Sequence, residues 1–260
     1  MVDERLAATP RAQRALAELG GRPLNVDPEE LAAATPQTGW HVDDYSQPLA
    51  PEPPGAPLAA GSFAIARRLM ADYAFADPAI VRAVFDPAGG LANRNMLLQV
   101  RFGPLRLLVG CRVGAIADET RSVGGRAARV WGWSYGTLAG HFERGTMDFA
   151  VWKWLDDGAV EFRIHVVSRP ARVGNPLVRL GFRLVGRREQ VRFARRACER
   201  MGALVERELA RAGAASASAS ADEAGAAQLG AQGAAAGEQR RARDRHERHA
   251  ALAHPEQQLP

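Results

Sequence analysis

The sequence from Met147 to Ser168 is MDFAVWKWLDDGAVEFRIHVVS. It contains two segments of alternating apolar residues on either side of Asp156-Asp157-Gly158. Asp-Gly is favoured in tight hairpin turns because glycine adopts the positive φ that these turns require. In the second segment the apolar side chains share one face, and the polar ones share the other: Glu161, Arg163 and His165. The pattern therefore predicts an antiparallel hairpin with one buried face and one face in contact with water.

Three further strands are predicted upstream, at residues 96–102, 105–116 and 129–138. Two turn signals separate them, Gly103-Pro104 and Gly124-Gly125. With the hairpin, these segments form a five-stranded antiparallel meander in which each strand pairs with the next along the chain.

A long amphipathic helix is predicted after the meander. Asn175-Pro176 supplies an N-cap and a first helical residue with a pre-set φ, and Gly186 is the place where the helix would break. Apolar residues recur at helical spacing as far as about Arg211: Leu177, Leu180, Leu184, Val191, Ala194, Cys198, Met201 and Val205. Further upstream, Asp77-Pro78 predicts a shorter helix that ends near Phe85. The fold class is therefore α+β, an antiparallel meander packed against a long C-terminal helix.

Composition predicts one domain, residues 40–211, because the large apolar and aromatic side chains cluster there. Residues 1–39 are predicted to be a flexible N-terminal segment, and residues 49–61 a proline-rich extended connector within the domain. Residues 212–260 are rich in Ala, Gly and Arg without apolar periodicity, so we expect a disordered tail.

The chain is basic, with a formal net charge of +5, and almost all of its positive charge is arginine. GC-rich coding produces the same bias, so basicity alone is weak evidence for a nucleic acid or an anionic membrane, and both stay open as partners. No phosphate-binding glycine loop, dinucleotide motif or nucleophile elbow is present. The sequence predicts no cofactor and does not favour an enzyme.

Cys111 and Cys198 are predicted to be buried free thiols, since neither has a second Cys or His at metal-ligand spacing. No metal site is predicted. The N-terminus lacks the basic and apolar regions of a signal peptide, and no apolar stretch is long enough to span a bilayer. We therefore expect a cytoplasmic protein.

The stretch Trp131–Gly145, WGWSYGTLAGHFERG, resembles the motif of the domain-of-unknown-function family nineteen-ninety. Cys111-Arg112-Val113 and Ser168-Arg169-Pro170 also match, and the resemblance covers about residues 40 to 211. The family has no agreed activity, but the resemblance implies a helix-grip-like layout, similar to folds that hold small apolar ligands. The chain departs from the common family pattern at Ala139, where proline is usual, and at Thr146, where glutamate is frequent. The second change argues against a mechanism that needs a carboxylate beside Glu143.

Candidate binding residues lie within the same stretch. His141 and Glu143 share a strand face, and so do Tyr135 and Thr137 before the bend at Gly140. Together they could orient a ligand, exchange a proton with His141 as acid or base, or form a polar corner that fixes the turn.

Two arginines complete the candidate set. Arg112 lies in a segment that matches the family. Arg187 would fall on the apolar stripe of one continuous helix, so either the helix breaks at Gly186 or Arg187 reaches into a cavity and meets an acid. A separate stripe of arginines recurs every fourth residue on the same helix: Arg188, Arg192, Arg196 and Arg200.

Four tryptophans alternate along two strands: Trp131, Trp133, Trp152 and Trp154. They could form an aromatic wall for a ligand, or pack as ordinary core.

Three functions follow from these observations. The favoured one is a domain that binds a small apolar or amphipathic ligand between the sheet and the C-terminal helix. The alternative is an interaction or regulatory module without catalytic activity that binds an acidic partner through the arginine stripe. The third is an enzyme that uses His141 as acid or base.

Overall fold

A computed structural model describes residues 3–102, 105–171 and 186–252. The chain divides into two units, Met1–Leu209 and Ala210–Pro260. The first unit is built on one antiparallel sheet. Its strands are β1 (His41–Leu49), β2 (Val81–Val84), β3 (Asn95–Phe102), β4 (Leu105–Val123), β5 (Arg126–Thr137), β6 (Glu143–Trp154) and β7 (Val160–Pro170).

The strand order is β1-β7-β6-β5-β4-β3-β2, and every neighbouring pair is antiparallel. Strands β3 to β7 are the predicted five-stranded meander, so the α+β fold class is confirmed. Asp156-Asp157-Gly158 connects β6 to β7, and Gly158 has the expected positive φ of 74°. The predicted turn at Gly103-Pro104 lies outside the described residues.

The helices are α1 (Glu4–Ala7), α2 (Pro10–Glu18), α3 (Pro28–Ala32), α4 (Ser62–Ala71) and α5 (Arg187–Leu252). The helix predicted from Asn175 to residue 185 lies outside the described residues, and α5 begins immediately after the predicted break at Gly186. Among the described residues, no helix combines the length and the apolar character needed to cross a membrane.

One face of the sheet, the inner face, is covered by α4 and by the first turns of α5. Phe149 lies at its centre, with ring centroids 4.7 Å from Phe75 and 4.9 Å from Trp133. The buried residues that α5 adds to this core are Phe193, Ala194, Ala197, Cys198, Met201 and Val205. A sheet that holds one long C-terminal helix is the helix-grip-like layout implied by the family resemblance. The alternate apolar residues of β7, which are Val160, Phe162, Ile164 and Val166, all face this core, as their period of two predicts.

The tryptophans are divided between the two faces. Trp131 and Trp133 belong to the inner core, whereas Trp152 packs on the outer face with Ala128 and Val130. The four rings therefore do not form one aromatic wall.

The N-terminal segment differs from the prediction. Ala12 and Leu19 are buried on the outer face of the sheet, against Leu97 and Leu138. Residues 1–39 were expected to be flexible, but α2 presents an apolar stripe that covers this outer patch. Burial of that stripe supplies the stability that a short helix lacks alone.

The helix predicted from Asp77 to Phe85 is wrong. Residues Val81–Val84 form strand β2 and pair with β3. Four residues with two β-branched valines gain more from adding to a sheet edge than from one turn of helix.

The tail beyond residue 212 was expected to be disordered, whereas α5 continues to Leu252. Alanine, the commonest residue there, has the highest helix propensity, which a prediction based on low complexity ignores. The division into 1–39, 40–211 and 212–260 as domains stays a prediction.

The proline-rich connector carries a buried ion pair. Lys153 on β6 is fully buried, and its Nζ lies 2.9 Å from Glu52 Oε2 and 2.9 Å from the carbonyl oxygen of Ala56. Glu52 also accepts the backbone N–H groups of Leu58 and Phe63, both at 2.9 Å. One carboxylate therefore fixes the connector to the sheet and caps the start of α4.

We expect Lys153→Met to destabilise the domain by about 3–5 kcal/mol, because Glu52 would keep its buried charge without a cation. Urea unfolding of both proteins gives the difference. Arg196→Gln is the control, since the ion pair of Arg196 with Glu199 is largely exposed and should contribute about 0–1 kcal/mol. Equal effects of the two changes would contradict a structural role for the buried pair.

Candidate functional site

A cavity of about 80 Å³ lies between the inner face of the sheet and the start of α5. The connection that follows α4, the strands β3, β5, β6 and β7 and the first turns of α5 all contribute to its wall. Its apolar lining residues include Ile80, Leu98, Val100, Phe142, Met147, Val166 and Phe193. Its polar lining residues are Tyr73, Tyr135, Thr137, His141, Glu143, Thr146, Ser168, Glu189 and Gln190. Four of the six predicted binding residues therefore line one cavity.

Local backbone geometry explains how the connection between β5 and β6 reaches the cavity. Gly140 has φ +90°, and the backbone N–H of His141 closes a turn onto the carbonyl oxygen of Leu138 at 3.0 Å. Gly145 has φ +148°, and a Cβ there would collide with the carbonyl oxygen of Val167. The chain can turn this sharply and approach β7 this closely only because glycine lacks a side chain.

His141 is buried and neutral. Its Nδ1 accepts the backbone N–H of Glu143 at 2.9 Å, which assigns the remaining ring proton to Nε2. Burial lowers the pKa of the imidazole to about 3. A histidine with this pKa is too weak a base to remove a proton near neutral pH, so it can act there as a hydrogen-bond donor.

Burial shifts the pKa of Glu143 upward, whereas it shifts the pKa of His141 downward. Its half-buried carboxyl group lies in apolar surroundings that raise its pKa to about 7, and the charge of Arg187 partly opposes the increase. The side-chain amide of Gln190 donates to Glu143 Oε2 at 3.3 Å and to Ser168 Oγ at 2.7 Å. Glu143 is therefore the group in the cavity that can change its protonation state at physiological pH.

Tyr135 and Thr137 both face the cavity from β5. Among the described residues, the Tyr135 hydroxyl donates a weak hydrogen bond to Met147 Sδ at 3.5 Å and also faces the Tyr73 hydroxyl. The Thr137 hydroxyl lies 2.5 Å from Asn25 Oδ1 and accepts the N–H of Gly145 at 3.0 Å. Thr137 thus holds the corner together, while the Tyr135 hydroxyl has hydrogen-bonding capacity to spare.

Tyr73, which the sequence did not indicate as a site residue, also lines the cavity. It has φ +55°, a conformation that is costly for a bulky residue. Its buried hydroxyl has no hydrogen-bond partner among the described residues, and burial raises its pKa. The Tyr73 and Tyr135 hydroxyls face each other closely enough that each shifts the pKa of the other, but their geometry falls short of a normal hydrogen bond.

Arg112 does not lie in the cavity, which corrects the prediction. Its Nε donates to Asn95 Oδ1 at 2.8 Å, and its Nη2 donates to the carbonyl oxygens of Leu19, Gly20 and Arg22. Because neighbouring residues of a strand point to opposite faces, Arg112 is on the outer face when Cys111 is in the inner core. Arg112 caps the end of the N-terminal helical segment.

Arg187 lies beside the cavity without lining it. Its guanidinium forms two hydrogen bonds of 2.5 Å to the carboxylate of Asp43 on β1, and a third of 2.9 Å to Gln190 Oε1. Arg187 therefore meets an acid, Asp43, beside the cavity and not inside it. Through Gln190 the ion pair fixes the hydrogen bonds of Glu143 and Ser168.

Among the described residues, no group of three or more His, Cys, Asp or Glu side chains is arranged to hold a metal ion.

Comparison with known proteins gives a family. The sequence model described as "Domain of unknown function (DUF1990)" matches residues 26–200, which confirms the family resemblance. The crystal structure of Ara h 8.0201 matches 64% of this chain and 98% of that chain, with 13% identity and a TM-score of 0.38. No curated protein matches the sequence.

We expect Glu143→Gln to remove part of the pH dependence of stability. The pKa of Glu143 is about 7 in the folded protein against 4.5 normally, so the folded state binds the proton more tightly. As the pH rises from about 4.5 to 7, Glu143 should therefore lower the wild-type stability by roughly 3 kcal/mol, and the variant should lack this contribution. His141, whose pKa is lowered to about 3, contributes the opposite trend to both proteins, so the comparison is the difference between their two pH profiles.

Urea unfolding at several pH values measures this difference. Glu199→Gln is the control, because Glu199 is an exposed carboxylate on α5 and should leave the pH dependence unchanged. Parallel pH profiles for the wild type and Glu143→Gln would disprove the elevated pKa.

Proposed function

The chain belongs to the DUF1990 family, and we propose that its domain binds a small amphipathic ligand in the cavity between the sheet and α5. The apolar part of the ligand contacts the aliphatic and aromatic wall, and its polar group contacts Tyr73, Tyr135 and Glu143. Cavities with mostly apolar walls and a few convergent polar groups are typical of ligand sites.

The observation that carries this proposal is Tyr73. A left-handed backbone and a buried hydroxyl without a partner are both unfavourable, and both occur at the residue that faces the cavity. Unsatisfied buried polar groups cost about 1–3 kcal/mol each. Such costs persist where function requires them, and a ligand that hydrogen-bonds the hydroxyl would remove one of them.

The cavity volume limits the ligand. About 80 Å³ is smaller than the cavity of about 150 Å³ that admits benzene in an engineered protein. The cavity therefore fits a group of a few heavy atoms, either a small molecule or one end of a larger one.

The arginine stripe gives less support to an acidic macromolecular partner. Arg192 pairs with Glu189, Arg196 pairs with Glu199, and Arg200 donates to the carbonyl oxygen of Ala74. Three of its four guanidinium groups are therefore already engaged within the chain. A role for His141 as a base is also disfavoured, because its pKa is too low.

We expect propan-1-ol, used as a probe, to bind in the cavity in the millimolar range, since a ligand of four heavy atoms can gain only a few kcal/mol. The readout is the methyl NMR signal of Met147, which lines the cavity. Met70, Met96 and Met201 are buried in the core outside the cavity and serve as internal controls. The proposal would be disproved if the Met147 signal did not shift, or if it shifted together with the signals of Met70, Met96 and Met201.

Tyr73→Phe is expected to stabilise the free protein by about 1 kcal/mol, because it removes an unsatisfied hydroxyl, and to weaken propan-1-ol binding severalfold. Thermal unfolding and the same titration measure the two effects. Tyr45→Phe is the matched control, since Tyr45 packs against the core from β1 without lining the cavity. If Tyr73→Phe destabilises the protein and leaves binding unchanged, the hydroxyl has a structural role instead.

A further inference from the structure

We propose that the cavity selects ligands whose polar end is an ammonium group, so that the ligand class is small alkylamines or a larger molecule ending in one. This inference rests on the proposed ligand-binding function and specifies the ligand. It follows from the charges, the free acceptor atoms and the aromatic rings of the cavity wall.

Among the described residues of the cavity wall, the charged groups are all acidic. Of its described lining residues, Glu143 and Glu189 carry carboxylates, and none is lysine or arginine. Glu189 is already paired with Arg192 at 3.3 Å, which leaves Glu143 as the carboxylate available to a ligand. A ligand carboxylate would be repelled at this position, whereas a cation would be attracted.

Among the residues that the structure describes, the groups around Glu143 do not supply the missing cation. From α5, Arg187 lowers the pKa of Glu143, but its guanidinium is engaged in two hydrogen bonds with Asp43. From β4, the Cys111 thiol has a pKa raised by burial and stays uncharged. The preceding His141 is neutral, and Arg144 pairs with Glu30. The carboxylate of Glu143 is thus only partly compensated.

The acceptor capacity of Glu143 is also largely unused. An ionised carboxylate offers about four lone-pair positions, and Glu143 receives one long hydrogen bond, from Gln190 to Oε2 at 3.3 Å. Oε1 receives none from the residues that the structure describes. An ammonium group has three donors, so it can bond to Glu143 and also to the hydroxyl oxygens of Tyr73 and Tyr135.

The remaining wall suits the rest of such a ligand. Phe142 and Phe193 line the cavity together with the two tyrosine rings, and the faces of aromatic rings attract cations. Leu98, Val100 and Val166 provide an apolar surface for an alkyl chain. A carboxylate beside several aromatic rings is the combination that binds alkylammonium ions.

Three probes of equal chain length test the inference: n-propylammonium, propan-1-ol and propanoate. We expect n-propylammonium to move the Met147 methyl signal at concentrations about tenfold lower than propan-1-ol does, because a hydrogen bond to a charged group is stronger than a neutral one. Propanoate should bind most weakly. The affinity for n-propylammonium should also rise from pH 5.5 to pH 8, as Glu143 ionises.

Glu143→Gln should abolish the preference for n-propylammonium over propan-1-ol, because it keeps the shape and an acceptor for Gln190 but loses the charge. Glu199→Gln makes the same change of net charge on the outside of α5 and should preserve the preference. The comparison of the three probes on the unaltered chain stands even if Glu143→Gln does not fold.

The outcomes separate this inference from the proposed function. Equal or tighter binding of propan-1-ol or propanoate overturns the amine selectivity and leaves ligand binding intact. A preference for n-propylammonium that persists in folded Glu143→Gln also overturns it. If none of the three probes moves the Met147 signal, the ligand-binding function fails as well.

Discussion

The structure depends on removing the inner face of the sheet from water. This face carries a continuous set of aromatic and aliphatic side chains, centred on Phe149, and a single helix is too narrow to cover it. The chain covers it in two parts, with α4 and its following connection on one side and the first turns of α5 on the other. The cavity lies where these two coverings approach each other, between Tyr73 and Phe193. It is therefore a consequence of how the sheet is covered, and its wall belongs to segments distant in sequence.

Much of the fold could be predicted because the meander buries one face only, so each strand shows a clear period of two. Strand β1 escapes prediction because it contains Asp43 and Asp44 and lies at the sheet edge, where polar residues and Pro48 are tolerated. Strand β2 could not be predicted because four residues are too few to show an alternation of apolar and polar side chains. The packing of the N-terminal helices on the outer face could not be predicted, because the apolar patch that they cover exists only after the sheet has formed.

The candidate site could be predicted in part for similar reasons. Tyr135, Thr137, His141 and Glu143 are close in sequence, and their alternation is visible in the amino-acid pattern itself. Tyr73 lies just after the end of α4 and faces the cavity because its backbone is left-handed, a conformation that no sequence pattern predicts. The prediction for Arg112 is wrong because a match to the family motif does not say which face of a strand a residue occupies. The alternation of side chains along the strand does identify the face, and it places Arg112 on the face opposite Cys111.

The ion pair between Asp43 and Arg187 connects the edge strand to the site. It ties β1 to the start of α5, and Arg187 in turn orients Gln190, which bonds to both Ser168 and Glu143. Because Arg187 is neutralised by Asp43 outside the cavity, its charge only partly offsets the desolvation of Glu143. The same contact that holds the helix on the sheet therefore leaves the carboxyl group with a pKa near neutrality. The ion pair between Asp43 and Arg187 thus contributes both to the packing of α5 on the sheet and to the electrostatics of the ligand site. A substitution of either residue therefore affects both.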